Sequence, residues 1–190
     1  MGSRGHLPPS ATVVRLTALA LVVLALALAS GCAHTPATSP RPSPDAPALT
    51  RAVVTRHTDG DTAHLRLAGG ADEKIRFIGI DAPEVGERLE PYGEEAAAYT
   101  AKAIPTGATV WLEFDAERRD EFGRLLAYVW LEQPSDRSEA EVRAKMLNAR
   151  LVLDGFAHAY TYPPNVAYSE VLKRLQAEAR DAGRGLWAGE

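Results

Sequence analysis

From Leu16 to Cys32 the chain reads LTALALVVLALALASGC and carries no charged side chain. Such a run has no place on the wet surface of a small globular core, so it divides the 190-residue chain before any strand or helix is placed. Arg4 and Arg15 are the only charged residues ahead of it. A basic start, an apolar run and small residues at its end have the form of a secretory signal. The run is short for a membrane span, which takes about 20 apolar residues. Cys32 is the only cysteine, which excludes an intrachain disulfide and a Cys-rich zinc site.

The ending Ala29-Ser30-Gly31-Cys32 resembles the lipobox of bacterial lipoproteins, with Ala29 where Leu is usual. That resemblance implies cleavage before Cys32, lipidation of its thiol and an N-terminal lipid anchor in a membrane of the cell envelope. The alternative is an ordinary signal cut after Ala27-Leu28-Ala29 and a secreted product. Residues 1–31 are read as the signal, and 32–50 as the lipidated Cys with a Pro/Ser/Thr-rich tether that has no apolar period. Losing residues 1–32 removes two of the 21 basic residues and none of the 25 acidic ones, so the net charge passes from −4 to −6. An acidic exported domain is not an obvious nucleic-acid binder, which weighs against the reading reached below.

Residues 51–190 read as one domain without internal repeats. Val53-Val54 opens a strand, and Thr58-Asp59-Gly60-Asp61 is a turn by composition. In Thr62–Leu67 the residues Ala63, Leu65 and Leu67 face one way and Thr62, His64 and Arg66 the other. Lys74–Ile80, Thr109–Phe114, Arg124–Leu131 and the short Phe156–Tyr160 are further strands. Helices are expected over Glu94–Ala103, Ser138–Asp154 and Ala167–Ala182, the last capped by Gly183. The fold class is α+β: a small five-stranded barrel with about three helices.

Four clusters can carry chemistry. Asp59-Gly60-Asp61-Thr62 puts two carboxylates at a tight turn. Asp81-Ala82-Pro83-Glu84 places two more where a strand ends. Arg76 lies in a strand five residues before Asp81, and Arg124 starts another. Carboxylates are hard ligands suited to Ca²⁺ or Mg²⁺, and any metal must be assembled from two separate turns. Asp61, Asp81 and Glu84 are expected to converge there. Two guanidinium groups beside a metal clamp a phosphate, and a spare carboxylate activates water, which together suffice for phosphodiester hydrolysis. Each piece alone also has a plain structural reading, as a turn, a helix entry or a surface ion pair.

The ordered blocks are Asp-Gly-Asp-Thr, Arg-Phe-Ile-Gly-Ile-Asp-Ala-Pro-Glu, Tyr-Gly-x-Glu-Ala, Phe-Gly-Arg-x-Leu-Ala-Tyr, Leu-Asn-x-x-Leu-Val-x-x-Gly-x-Ala and the closing Gly-Leu-Trp. Over residues 51–188 they resemble the staphylococcal nuclease (thermonuclease) family. The resemblance implies an OB-fold barrel and Ca²⁺-dependent cleavage of DNA and RNA at the P–O5′ bond, leaving 3′-phosphate ends. It implies Asp61 and Asp81 as calcium carboxylates and the main-chain carbonyl of Ala82 as a third ligand. Glu84 is then the general base or the carboxylate that orients water, Arg76 and Arg124 are the phosphate clamp, and Tyr160 and Tyr162 line a nucleoside pocket. Phe122 stands where the family has a Tyr that can bond a substrate phosphate, Glu121 where it has Lys, and Ala82 where it has Thr. The connection from Glu132 to Ala144 is longer than the family's. No protein partner is implied, and a monomer is expected. The rival readings are a non-catalytic OB-fold nucleic-acid-binding module and a structural envelope lipoprotein. A pure binder has no need of Asp61, Arg76, Asp81, Glu84 and Arg124 together.

Overall fold

The computed structural model describes residues 1–2, 45–86 and 90–189. The apolar run, Cys32 and residues 33–44 of the tether lie outside the described residues. All elements below belong to the unit Arg41–Glu190.

Strands β1 (Leu49–His57), β2 (Thr62–Leu67), β3 (Asp72–Phe77), β5 (Thr109–Glu113) and β6 (Leu125–Trp130) close a barrel in the order β1-β2-β3-β6-β5. β1 starts two residues inside the segment read as tether, where Leu49 pairs with Glu113. Neighbours are antiparallel except β3 and β6, whose parallel pairing closes the cylinder. The alternation read in Thr62–Leu67 holds at the core: Ala63 and Leu65 are fully buried, beside Val54, Ile75, Val110 and Leu112.

The expected strand Lys74–Ile80 is interrupted. Gly79 takes φ +79°, where a Cβ would also strike Leu172, so β3 stops at Phe77 and the chain turns. The next two residues, Ile80–Asp81, form β4, which pairs with β7 (His158–Ala159) outside the barrel. The expected strand Phe156–Tyr160 is reduced to that two-residue partner.

Helices α1 (Gly93–Ala103), α2 (Glu139–Lys145), α3 (Leu147–Leu153) and α4 (Ser169–Asp181) make four among the described residues, where three are expected. The extra end comes from Met146, whose extended backbone (φ −89°, ψ 123°) bridges to Trp130 and buries its side chain, splitting the helix expected over Ser138–Asp154. α4 turns Leu172, Leu175 and Ala179 to the core, each Leu contributing about 2 kcal/mol by burial.

The long connection before α2 also has a visible task. Arg137 reaches back to Glu113 at the end of β5, with Nε 2.9 Å and Nη2 2.8 Å from Oε1. The other oxygen of Glu113 accepts from Trp130 Nε1 (2.9 Å) and the Tyr168 hydroxyl (2.8 Å). Ser138 then caps α2 by accepting from the Glu141 N–H.

Candidate active site

The turn Asp59–Asp61 is drawn tight by its own side chain, since the Asp61 N–H donates to Asp59 Oδ1 at 3.0 Å. Gly60 is required there for closeness. A Cβ would stand 2.7 Å from the Ala82 Cβ and 2.9 Å from the Ala96 Cβ. The Thr100 hydroxyl of α1 donates to the Gly60 carbonyl at 2.6 Å. The turn, the segment after β4 and α1 are thus packed at one point, and Asp61 is driven inside, only 5% exposed.

Its carboxylate is well coordinated. Asp61 Oδ2 lies 2.5 Å from Arg76 Nη1 and accepts the Ala82 N–H at 2.7 Å. Oδ1 accepts the Thr62 hydroxyl at 3.2 Å. Burial pushes the Asp61 carboxyl up to about 7, against the Arg76 charge and the Ala82 N–H, with Asp59 and Asp81 adding to the rise. Arg76 offsets only part of this, because it is shared: its Nη2 meets Asp81 Oδ1 at 2.8 Å, and its Nη1 also donates to the Ile80 carbonyl at 3.2 Å. One guanidinium faces two carboxylates, and the local charge is negative.

Arg76 also lines a cavity of about 380 Å³ whose other wall carries Arg124. Asp120 holds Arg124, accepting Nε at Oδ2 (2.6 Å) and the backbone N–H at Oδ1 (2.9 Å). Among the described residues these are its hydrogen bonds, and they leave Nη1 and Nη2 for a ligand. Phe122, Tyr160 and Tyr162 line the same cavity, exposed by 75%, 53% and 65%. Phe122 stacks on Arg124, 5.4 Å from ring centre to Cζ.

Arg76, Arg124, Phe122, Tyr160 and Tyr162 are therefore brought to one cavity, and Asp61, Asp81 and Ala82 to the far side of Arg76. Glu84 does not join them. It is exposed on the loop after β4, where its N–H donates to Glu90 Oε2 and its carbonyl accepts the Glu90 N–H. Among the described residues no three carboxylate, thiol or imidazole side chains stand together as a metal cluster. The oxygen donors toward a cation are the two carboxylates and main-chain carbonyls.

The Staphylococcal nuclease homologue family matches residues 74–189. The thermonuclease of Staphylococcus intermedius is 37% identical over 138 residues, 71% of this chain and 74% of that protein. The thermonuclease of Staphylococcus hyicus is 34% identical over the same shares. The SPbeta prophage-derived endonuclease YokF of Bacillus subtilis is 32% identical over 74% of this chain and 45% of its own. The chain belongs to the staphylococcal nuclease family.

Membership implies a divalent metal, and the residues present fit one. A buried carboxyl carried to about 7, beside a second carboxylate and with one guanidinium between them, lacks positive charge. Hard oxygen donors suit a hard divalent cation. Two residues of this family site escaped the sequence reading. Asp120, which aims Arg124, is hidden in the run Glu117-Arg118-Arg119-Asp120-Glu121, where one more charge carries no signal. Asn165 reads as a turn residue after two prolines, yet its side chain is buried. It accepts the Glu117 N–H (2.8 Å) and donates to the Glu117 carbonyl (2.9 Å), tying the loop of Tyr160 and Tyr162 to that of Phe122. Asn148, quoted above in the Leu-Asn block, donates to the Ile78 carbonyl (2.8 Å) and accepts the Val129 N–H (2.9 Å), fixing the turn between Arg76 and Asp81.

Proposed function

We propose that the chain is an exported nuclease that needs Ca²⁺ and hydrolyses single-stranded or unpaired DNA and RNA at the P–O5′ bond, leaving 3′-phosphate ends. Cys32 carries its lipid anchor at the cell envelope; if Cys32 is not lipidated, the product is secreted. The observation that carries the reading is the pair Arg76 and Arg124 on one aromatic-walled cavity, with two carboxylates behind Arg76. Asp61, Asp81 and the Ala82 carbonyl would hold the cation. When bound, it draws charge from a phosphoryl oxygen and favours attack by water.

The chain's own residues do the rest. Tyr160, Tyr162 and Phe122 stack the nucleoside and set the scissile phosphate between the two guanidinium groups. Arg124, held at Nε by Asp120, presents its terminal N–H groups as a fork to two phosphoryl oxygens. Arg76 keeps Asp61 and Asp81 together while meeting the developing charge. Glu84, on the loop beside Asp81, accepts a hydrogen bond or a proton from the attacking water at a carboxylate oxygen.

The test incubates the purified chain with denatured DNA and with RNA, with Ca²⁺, with Mg²⁺ and with chelator, and analyses the ends produced. Calcium-dependent cleavage to 3′-phosphate ends is expected. Cleavage that survives chelation would refute the metal assignment, and 3′-hydroxyl ends would refute the choice of bond.

A further inference from the structure

Arg56, His64 and Lys74 stand opposite one another on β1, β2 and β3. Ala63, Leu65 and Ile75 beside them point into the core, so by alternation the three side chains share the outer face of the barrel. Their contacts agree. Arg56 Nη2 donates to His64 Nε2 at 2.8 Å. A guanidinium has only donors, so this imidazole nitrogen accepts, and the ring is neutral with its proton on Nδ1. Burial first, then the charges of Arg56 and Lys74, lower the His64 pKa, while Asp72 opposes them.

Many surface cations are paired with carboxylates; among the described residues this transverse row is not, nor is Arg66 beside it on β2, and Arg51, Lys102 and Arg118 also lack such a partner. Arg119, Arg124, Arg137, Arg143 and Lys145 each have a carboxylate partner. Among the described residues Arg56 and Lys74 have none. Arg56 and Lys74 flank the neutral His64, and an external anion can be met by either. The row also ends on the strand that carries Arg76 of the cavity wall. Lys74 precedes Arg76 by two residues on β3, so the two side chains leave the same face about 7 Å apart. That is close to one backbone repeat of an extended polynucleotide.

We infer that the outer face of β1, β2 and β3 is the track along which a single strand continues beyond the cleaved bond, with Lys74 and Arg56 meeting successive phosphates. The inference rests on the nuclease reading for its end point, since the track begins at Arg76. A strand is favoured over a membrane because the patch is narrow, is flanked by Asp72, and ends two residues from Arg76 of the cavity wall. The negative charge of the chain elsewhere confines the strand to this lane.

The test uses the full chain and the double variant Arg56→Gln with Lys74→Gln, both exposed sites. Binding of a fluorescent oligothymidylate is followed by anisotropy as salt rises. Two lost phosphate contacts, at about 0.7 each for single strands, should lower the slope of log K against log salt by about 1.4, with affinity down about tenfold. In parallel, kcat/KM on long denatured DNA relative to a dinucleotide should fall about tenfold. An unchanged slope and an unchanged ratio, with the wild type still cutting both substrates, overturns the track and spares the nuclease reading. A reduced slope in a wild type that cuts nothing does the reverse. Weaker binding to phosphatidylcholine vesicles containing phosphatidylserine, with oligothymidylate binding unaltered, makes the row a lipid contact and overturns the proposal.

Discussion

Two carboxylates are buried on this barrel, and they are treated differently. Glu113, 3% exposed, has Arg137 for one oxygen and two neutral donors, Trp130 and Tyr168, for the other. Among the described residues its partner guanidinium pairs with no second carboxylate. Asp61, 5% exposed, shares Arg76 with Asp81 and is carried up to about 7 by burial. The first arrangement closes a seam between the barrel, α4 and the long connection before α2. The second leaves an unbalanced negative charge next to a cavity. Burial of a charge is thus structural where its partners are complete and functional where one is missing.

The largest effect expected is on the complete site. Glu113→Ala removes the acceptor for Trp130 Nε1 and the Tyr168 hydroxyl, leaving two buried donors without partners. Unfolding in urea should show a loss of about 3–5 kcal/mol. Below its lowered midpoint the variant should cleave with wild-type kcat, since nothing in the cavity is touched. A loss under about 1 kcal/mol would mean that Glu113 and Asp61 are not different in kind.

The cavity side is tested by exchanging the fork for a point charge. Arg124→Lys keeps the positive charge but loses Nε, which Asp120 holds, and the paired terminal N–H groups. kcat should fall about 10²-fold or more with little change in KM. Stability should hardly move, because Arg124 is partly exposed. Normal kcat in the folded variant would make Arg124 a surface ion pair and leave the binding-module reading ahead.

For Asp61 the two roles pull apart. The folded carboxyl titrates near 7, and the unfolded one near 3.9. Between those values the native state keeps a proton that the unfolded state has released. Stability of the metal-free protein therefore falls as pH rises through this window, and the full penalty is present above it. Asp61→Asn retains an acceptor for the Ala82 N–H and has no charge to desolvate. In chelator at pH 7.5 it should be more stable than wild type by roughly 1–3 kcal/mol, and the two should converge toward pH 4. Cleavage should be lost in the same variant. A destabilised Asn variant would show that Arg76 fully compensates Asp61 after all.

How much of this contrast can be read in the sequence follows from range. Alternation in Thr62–Leu67 is a local signal, and it gives the strand and its inward face. The ordered blocks give the site residues, because their types and order are specific together. Glu113 gives no signal: it follows Leu112 in a strand, where a charge reads as solvent-facing, and its guanidinium comes 24 residues later from a connection with no apparent task. The break at Gly79 and the extended Met146 depend on packing against Leu172 and pairing with Trp130, both distant in sequence. Glu84 is legible as a carboxylate in a motif, but the motif does not say that its main chain is tied to Glu90 on the loop after β4.

The smallest effect is the control for burial itself. Arg143 likewise sets a guanidinium between two carboxylates, Glu139 and Glu178, with Arg174 as a second guanidinium on Glu139. These two stand in water, and hydrogen bonds from Arg143 and its neighbour Arg174 hold their pKa values down rather than up. Solvent screens the pair, so little is gained by forming it and little is lost by breaking it. Arg143→Gln should move Tm by no more than about 3 °C and leave cleavage as it was, and 0.5 M salt should erase about all of that shift. If Arg143→Gln instead matched Glu113→Ala, the number of partners alone would decide what a carboxylate does in this fold. The expected small effect follows from exposure together with the second guanidinium, Arg174, that completes the charge balance at Glu139 and is missing at Arg76.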